Sequence, residues 1–83
     1  MIKLSKDELA RTHQIVMDVW NAIAPDLDTG PRTTNLKVVY ICMDYVEMYA
    51  GSGREDLRFM MELFDRIGFE QVCKQIAKNY CYY

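Results

Sequence analysis

His13 is the only histidine in the chain and the first residue to weigh as a catalytic group. A general base needs a nucleophile or an acid beside it. On a helical wheel His13 lies at the edge of an apolar stripe near Trp20, and no serine or cysteine shares that face. The sequence therefore predicts a partly buried histidine with a backbone or water partner, and it predicts that the protein is not an enzyme.

Three cysteines, Cys42, Cys73 and Cys81, could in principle bind zinc together with His13. Structural zinc sites normally use closely spaced pairs of ligands, and this chain contains no such pair. Cys42 and Cys73 fall on apolar helical faces, where a reduced cysteine behaves as a small hydrophobic residue. We therefore expect no metal site, and the odd cysteine count indicates a reducing, cytoplasmic environment.

Two further segments resemble ligand-binding loops but lack the decisive residues. The run from Asp26 to Asp28 opens like a calcium loop, yet Gly30 occupies the fifth position and Lys37 the twelfth, where ligands are needed. The segment Gly51-Ser52-Gly53 could present backbone N–H groups to an anion, but no lysine follows at P-loop spacing. These patterns are typical of turns, and we expect no cofactor.

The composition excludes several classes of protein. Apolar residues make up 51% of the chain and charged residues 27%, with a net charge of −2, as expected for a small globular protein. Binders of nucleic acid or of anionic membranes need a basic surface, which this balance argues against. No segment has the length of a membrane span or the apolar core of a secretory signal.

The apolar periodicity predicts an all-α fold, a single domain over residues 1–83 with three or four helices. Ser5 and Glu8 form a capping box at the start of the first helix, Thr34 or Asn35 can cap the second, and Ser52 with Glu55 forms another capping box. Gly68 ends or kinks the third helix, so whether helices three and four are separate stays open. The predicted ranges are about 6–23, 35–50, 53–67 and 69–80.

Charged side chains at i, i+4 spacing should pair on the outer faces of these helices. The three predicted pairs are Asp7 with Arg11, Glu62 with Arg66, and Glu70 with Lys74. Such pairs are typical of solvated helix faces.

The second helix, LKVVYICMDYVEMYA, is apolar around almost its whole circumference and is expected at the centre of the bundle. A strand is excluded because the 3.6-residue period continues over about fifteen residues and no strand partner exists. A chain of this size covers one side of such a helix more easily than both, so we expect self-association. The residues predicted for it are Val38, Cys42, Tyr45, Met48 and Tyr49. The alternative is that helices one and four cover both faces.

These features predict a non-enzymatic protein-interaction module, a homo-oligomer that acts stoichiometrically as an adaptor or inhibitor. Small proteins of phages and mobile elements often act in this way. The predicted partner or ligand contacts are Arg32, Asp26, Asp28, His13, Trp20, Tyr80, Tyr82 and Tyr83. The terminal tyrosines have no obvious place in the core, which favours an interface role.

Two other functions remain open. A nucleotide-like anionic ligand could bind at a helix or subunit interface, stacked on Trp20, His13 and Tyr40 and paired with Arg32. The glycine turn between helices two and three also permits a helix-turn-helix DNA binder that uses Arg54 and Arg58, although acidic neighbours oppose it.

Overall fold

The computed structural model describes residues 2–26 and 33–82. Within these ranges the chain forms four α-helices and no strand, which confirms the predicted all-α fold. Two short 3₁₀ helices, Ala24–Asp26 and Ala50–Ser52, extend the ends of the first and second helices. The helices are α1 (Lys6–Ile23), α2 (Asn35–Met48), α3 (Glu55–Ile67) and α4 (Phe69–Asn79).

The first two helices begin at side-chain caps. The Ser5 hydroxyl accepts from the Glu8 N–H at 3.1 Å, and the Glu8 carboxylate accepts from the Ser5 N–H at 2.9 Å. This is the predicted capping box, which satisfies two N–H groups that the first turn leaves without helical partners. At α2 the cap is Thr34, whose hydroxyl accepts from the Lys37 N–H at 3.2 Å.

The predicted start of the third helix is wrong. Ser52 lies in a 3₁₀ turn, where its N–H donates to the Tyr49 carbonyl, and Gly53 follows in the left-handed region at φ 83°. The N-cap of α3 is instead Arg54, which makes no side-chain capping bond. Because residues 50–53 form this turn, α2 ends at Met48, two residues earlier than predicted. For the same reason α3 begins at Glu55, two residues later than predicted.

Gly68 separates α3 from α4. Its backbone has φ 106° and ψ 139°, a conformation open almost only to glycine. Its N–H donates to the Phe64 carbonyl, which ends α3, and its carbonyl accepts from the Val72 N–H, which begins α4. One residue thus serves both helices, and no capping side chain is needed.

The core receives residues from all four helices and from Leu4. Both α2 and α4 pack against each of the other three helices, so the bundle has no single central member. The buried apolar residues are Leu4, Ile15, Val16, Val38, Val39, Cys42, Met43, Val46, Leu57, Met60, Leu63, Phe64, Val72, Cys73 and Ile76. The polar Thr12 is also fully buried, and its hydroxyl donates to the Leu9 carbonyl at 2.9 Å.

Candidate functional site

An apolar stripe, called the α2 stripe below, lies along the outer edge of α2 and just beyond its end. Its members are Ile41, Tyr45, Met48 and Tyr49, which follow the i, i+4, i+7, i+8 spacing of one helical face. Met48 is 76% exposed and Tyr49 47% exposed, while Ile41 and Tyr45 are half-buried. The rings of Tyr45 and Tyr49 contact each other with centroids 4.5 Å apart. None of the four belongs to the hydrophobic cluster that packs around the core.

Two residues predicted for self-association lie elsewhere. Val38 and Cys42 have no exposed surface and belong to the core, where the Cys42 thiol lies 3.8 Å from the Val16 carbonyl. One face of α2 packs in the core and another carries the α2 stripe. Val38 and Cys42 lie on the core face. They therefore cannot contact a second molecule in the folded chain, and that part of the prediction is corrected.

Burial also makes the core thiols inert. Loss of solvation raises the pKa of Cys42 to about 12. Loss of solvation, followed by the nearby carboxylates of Asp44 and Glu47, raises the pKa of Cys73 to about 12. Since only a thiolate is a good nucleophile or metal ligand, neither cysteine is poised for chemistry at neutral pH.

Charged residues border the α2 stripe on its solvent side. Lys37 and Asp44 are exposed on α2, seven residues and therefore two turns apart on one edge. Within the described ranges neither side chain forms an ion pair. The edge thus carries a positive charge near the helix start and a negative charge farther along.

The C-terminal segment packs back on α1, contrary to the expectation that its tyrosines lack an internal position. Tyr80 stacks on the His13 ring with centroids 3.9 Å apart and planes within 10°. The Tyr82 hydroxyl lies 3.0 Å from His13 Nδ1, and its ring packs against the core. Burial raises the pKa of the Tyr82 hydroxyl, with the nearby Tyr80 as a second cause. His13 is therefore a partly buried residue with a side-chain partner, where a backbone or water partner was predicted.

Asn35 fixes the same segment from the side of α2. Its amide nitrogen donates to the carbonyls of Ala77 and Tyr80, and its amide oxygen accepts from the Tyr82 N–H at 2.8 Å. The sequence pattern indicated only a capping role for this residue. No local signal could have found the clamp, because its partners lie more than forty residues away along the chain.

The predicted ligand-stacking residues are divided between two places. Trp20 lines a shallow depression of about 180 Å³ together with Met17, Asn21, Cys81 and Tyr82. Tyr40 instead lies against Phe69, with ring centroids 5.9 Å apart. Of the other predicted contacts, Asp26 is exposed in the 3₁₀ turn after α1. Asp28, Arg32 and Tyr83 lie outside the described residues.

The arginines proposed for DNA binding have acidic neighbours. Arg54 pairs with Asp56 at 2.8 Å, and Arg58 lines a depression that also contains Glu55 and Glu62. These carboxylates would meet phosphates unfavourably. In the part of the chain that the structure describes, no group of three histidine, cysteine or acidic side chains is placed to hold a metal ion.

Comparison with protein-family models, with curated proteins and with solved structures finds no match for this chain. Among the described helices, none combines the length and apolarity that crossing a membrane requires. Of the four exposed large hydrophobic residues in the described ranges, Met48 and Tyr49 lie side by side in the α2 stripe, which is therefore the candidate functional site.

Proposed function

We propose that this protein is a non-enzymatic interaction module that forms a homodimer through the α2 stripe. The observation that carries the proposal is the exposure of Met48 and Tyr49 beside the half-buried Tyr45, outside the packed core. Tyrosine and methionine are enriched where proteins meet, because each buries a large area and tyrosine keeps a polar tip. A second copy would cover this surface.

A two-fold axis would pair the two α2 helices in an antiparallel arrangement. An axis near Tyr45 places the α2 stripe of each copy against that of the other, since the stripe extends four residues to either side of Tyr45. A two-fold interface is self-complementary, so every contact across it occurs twice.

The dimer would act on a protein partner stoichiometrically, as an adaptor or as an inhibitor that covers a surface. Asp26 and the other residues of the 25–34 segment, which connects α1 to α2, are the proposed contact region. The buried cysteines, Cys42 and Cys73, form no disulfide, which supports a reducing compartment such as the cytoplasm.

Sedimentation velocity at micromolar concentration tests the dimer. We expect wild type to sediment as a dimer and Met48→Glu as a monomer, because the new charge would be buried at the interface. Met17→Glu makes the same chemical change at an exposed methionine on α1, and it should leave the dimer intact. A monomeric wild type across the concentration range would refute self-association.

The partner is identified by affinity capture from the native host, followed by mass spectrometry. We expect one protein to be captured in a fixed ratio to the tagged chain. Capture by Tyr49→Glu run in parallel shows whether the dimer is needed for partner binding. A tagged wild type that retains no protein above background would contradict the adaptor or inhibitor role.

A further inference from the structure

A groove lies between α4 and the N-terminal segment with the start of α1, and it shares no lining residue with the α2 stripe. Its volume is about 510 Å³, within the range of small-molecule sites, which runs from about 300 to 1,000 Å³. Its two leucines are largely withdrawn from solvent, Leu4 being buried and Leu9 half-buried. The lining residues are Lys3, Leu4, Leu9, Gln71, Lys74, Gln75, Lys78 and Asn79.

One amide group holds the two walls of the groove together. The Leu4 N–H donates to Gln75 Oε1 at 2.7 Å, and Gln75 Nε2 donates to the Ile2 carbonyl at 2.8 Å. The Asn79 amide donates in turn to the Gln75 carbonyl at 2.7 Å. The N-terminal segment is thereby fixed along α4, so the groove is formed before any ligand arrives, which lowers the cost of binding.

The groove is positively charged although the whole chain carries a net charge of −2. Three lysines line it, and none of its described lining residues is acidic. Lys74 pairs at 2.8 Å with Glu70, which is not a lining residue. Lys3 and Lys78 are exposed and form no ion pair within the described ranges. The ammonium groups of Lys3 and Lys78 thus remain available to a ligand at the edge of the groove.

We propose that this groove binds an amphipathic anion, an alkyl carboxylate. Its carboxylate would accept hydrogen bonds from the ammonium groups of Lys3 and Lys78. Its chain would lie on Leu4 and Leu9 and on the methylene stems of the lysines, which can cover apolar surface while their charged ends stay in water. The volume of the groove suits a small molecule, and the site does not depend on dimerisation.

Titration with decanoate below its critical micelle concentration, followed by ¹⁵N–¹H correlation spectra, tests the site. We expect saturable shifts at the amides of Leu4, Leu9 and Gln75. Decyltrimethylammonium has the same chain length and the opposite charge, and it should cause no saturable shift there. Equal binding of both compounds, or no saturable shift with decanoate, would overturn the proposal.

Paired variants separate the charge effect from nonspecific surface binding. Lys3→Gln with Lys78→Gln should weaken decanoate binding at least about fivefold, because two exposed charge pairs are lost. Arg58→Gln removes a positive charge on α3, outside the groove, and should leave the affinity unchanged. Urea unfolding curves of each variant check that it is folded. An affinity unaffected by the double lysine change would contradict recognition of the carboxylate.

Discussion

At the scale of the residue, Asn35 shows how one amide group fixes a chain terminus. Both of its side-chain functional groups bond to backbone atoms beyond or at the end of α4. The Ala77 carbonyl lies in the last turn of α4, where helix carbonyls lack intrahelical partners, and Tyr80 and Tyr82 lie beyond it. Tyr80 and Tyr82 are thereby placed against His13. Tyr80 and Tyr82 are therefore part of the folded structure.

We expect Asn35→Ala to destabilise the protein by about 2 kcal/mol, because three hydrogen bonds are lost and partly buried backbone groups lose their partners. The measurement is urea-induced unfolding followed by circular dichroism. Asn21→Ala is the matched control at an exposed position on α1 and should change the stability by no more than about 0.5 kcal/mol. Equal stability of both variants would show that the clamp contributes nothing.

The buried thiols predict a loss of stability in alkali. The pKa values of Cys42 and Cys73 rise from the usual 9.0 to about 12 on folding, so the folded state keeps protons that the unfolded state releases. This contribution is fully present below pH 9 and is lost as the pH rises from 9 towards 12. At one pH unit above 9, the loss is about 1.4 kcal/mol for each thiol.

Urea unfolding at pH 7.5 and pH 10, under reducing conditions, measures this alkaline loss. A variant with Cys42→Ala and Cys73→Ala should lose less stability between the two pH values than wild type. Cys81→Ala, which removes an exposed thiol, should keep the wild-type slope. A double variant with the wild-type slope would assign the alkaline loss to other groups.

At the scale of the element, the helix boundaries depend on a few short-range bonds. Ser5 and Ser52 have the same S-x-x-E context in the sequence, but only Ser5 makes the capping bonds. We expect Ser5→Ala to cost about 1 kcal/mol. Ser52→Ala should stay within about 0.5 kcal/mol of wild type. Thermal unfolding of both variants provides the comparison, and a larger loss for Ser52→Ala would place the cap of α3 where the sequence predicted it.

Gly68 is the residue that makes two helices from one apolar segment. Gly68→Ala should destabilise the protein by about 1–3 kcal/mol, since an alanine side chain is strained at φ 106° even though a Cβ atom would meet nothing within 4 Å. Gly51 also has open space around it but lacks a positive φ, so Gly51→Ala is the control and should be close to neutral. Chemical denaturation of the two variants measures the difference. A free energy of unfolding unchanged by Gly68→Ala would mean that the junction of α3 and α4 does not require glycine.

At the scale of the whole molecule, the four helices enclose a core on one face of α2 and leave the α2 stripe uncovered. If two copies cover it, folding and association are linked, and the melting temperature depends on protein concentration. We expect the melting temperature to rise by a few degrees for each tenfold increase in concentration. Met48→Glu should remove this dependence. A wild-type melting temperature constant from 5 to 500 μM would contradict a linked dimer.

Ion pairs show most directly where local pattern and tertiary structure differ. Glu70 and Lys74 pair at i, i+4 as predicted, at 2.8 Å. Arg66 pairs with Glu8 of α1 instead of Glu62 on its own helix. This contact and the bond from the Ser5 N–H lower the pKa of Glu8, the backbone bond being the larger cause. The sequence pattern could not reveal that pair, because the two residues meet only when α1 and α3 pack together.

The sequence by itself determined the all-α class, the range of α1 and the Ser5 capping box. Each of these depends on hydrogen bonds and apolar periodicity within a few residues, which are the same in any fold that the chain adopts. Only the tertiary structure decided which side of α2 is buried, that Cys42 belongs to the core, and that the tail packs on His13. Those outcomes depend on contacts between residues far apart in the chain, and packing alone selects among the many pairings that the sequence permits.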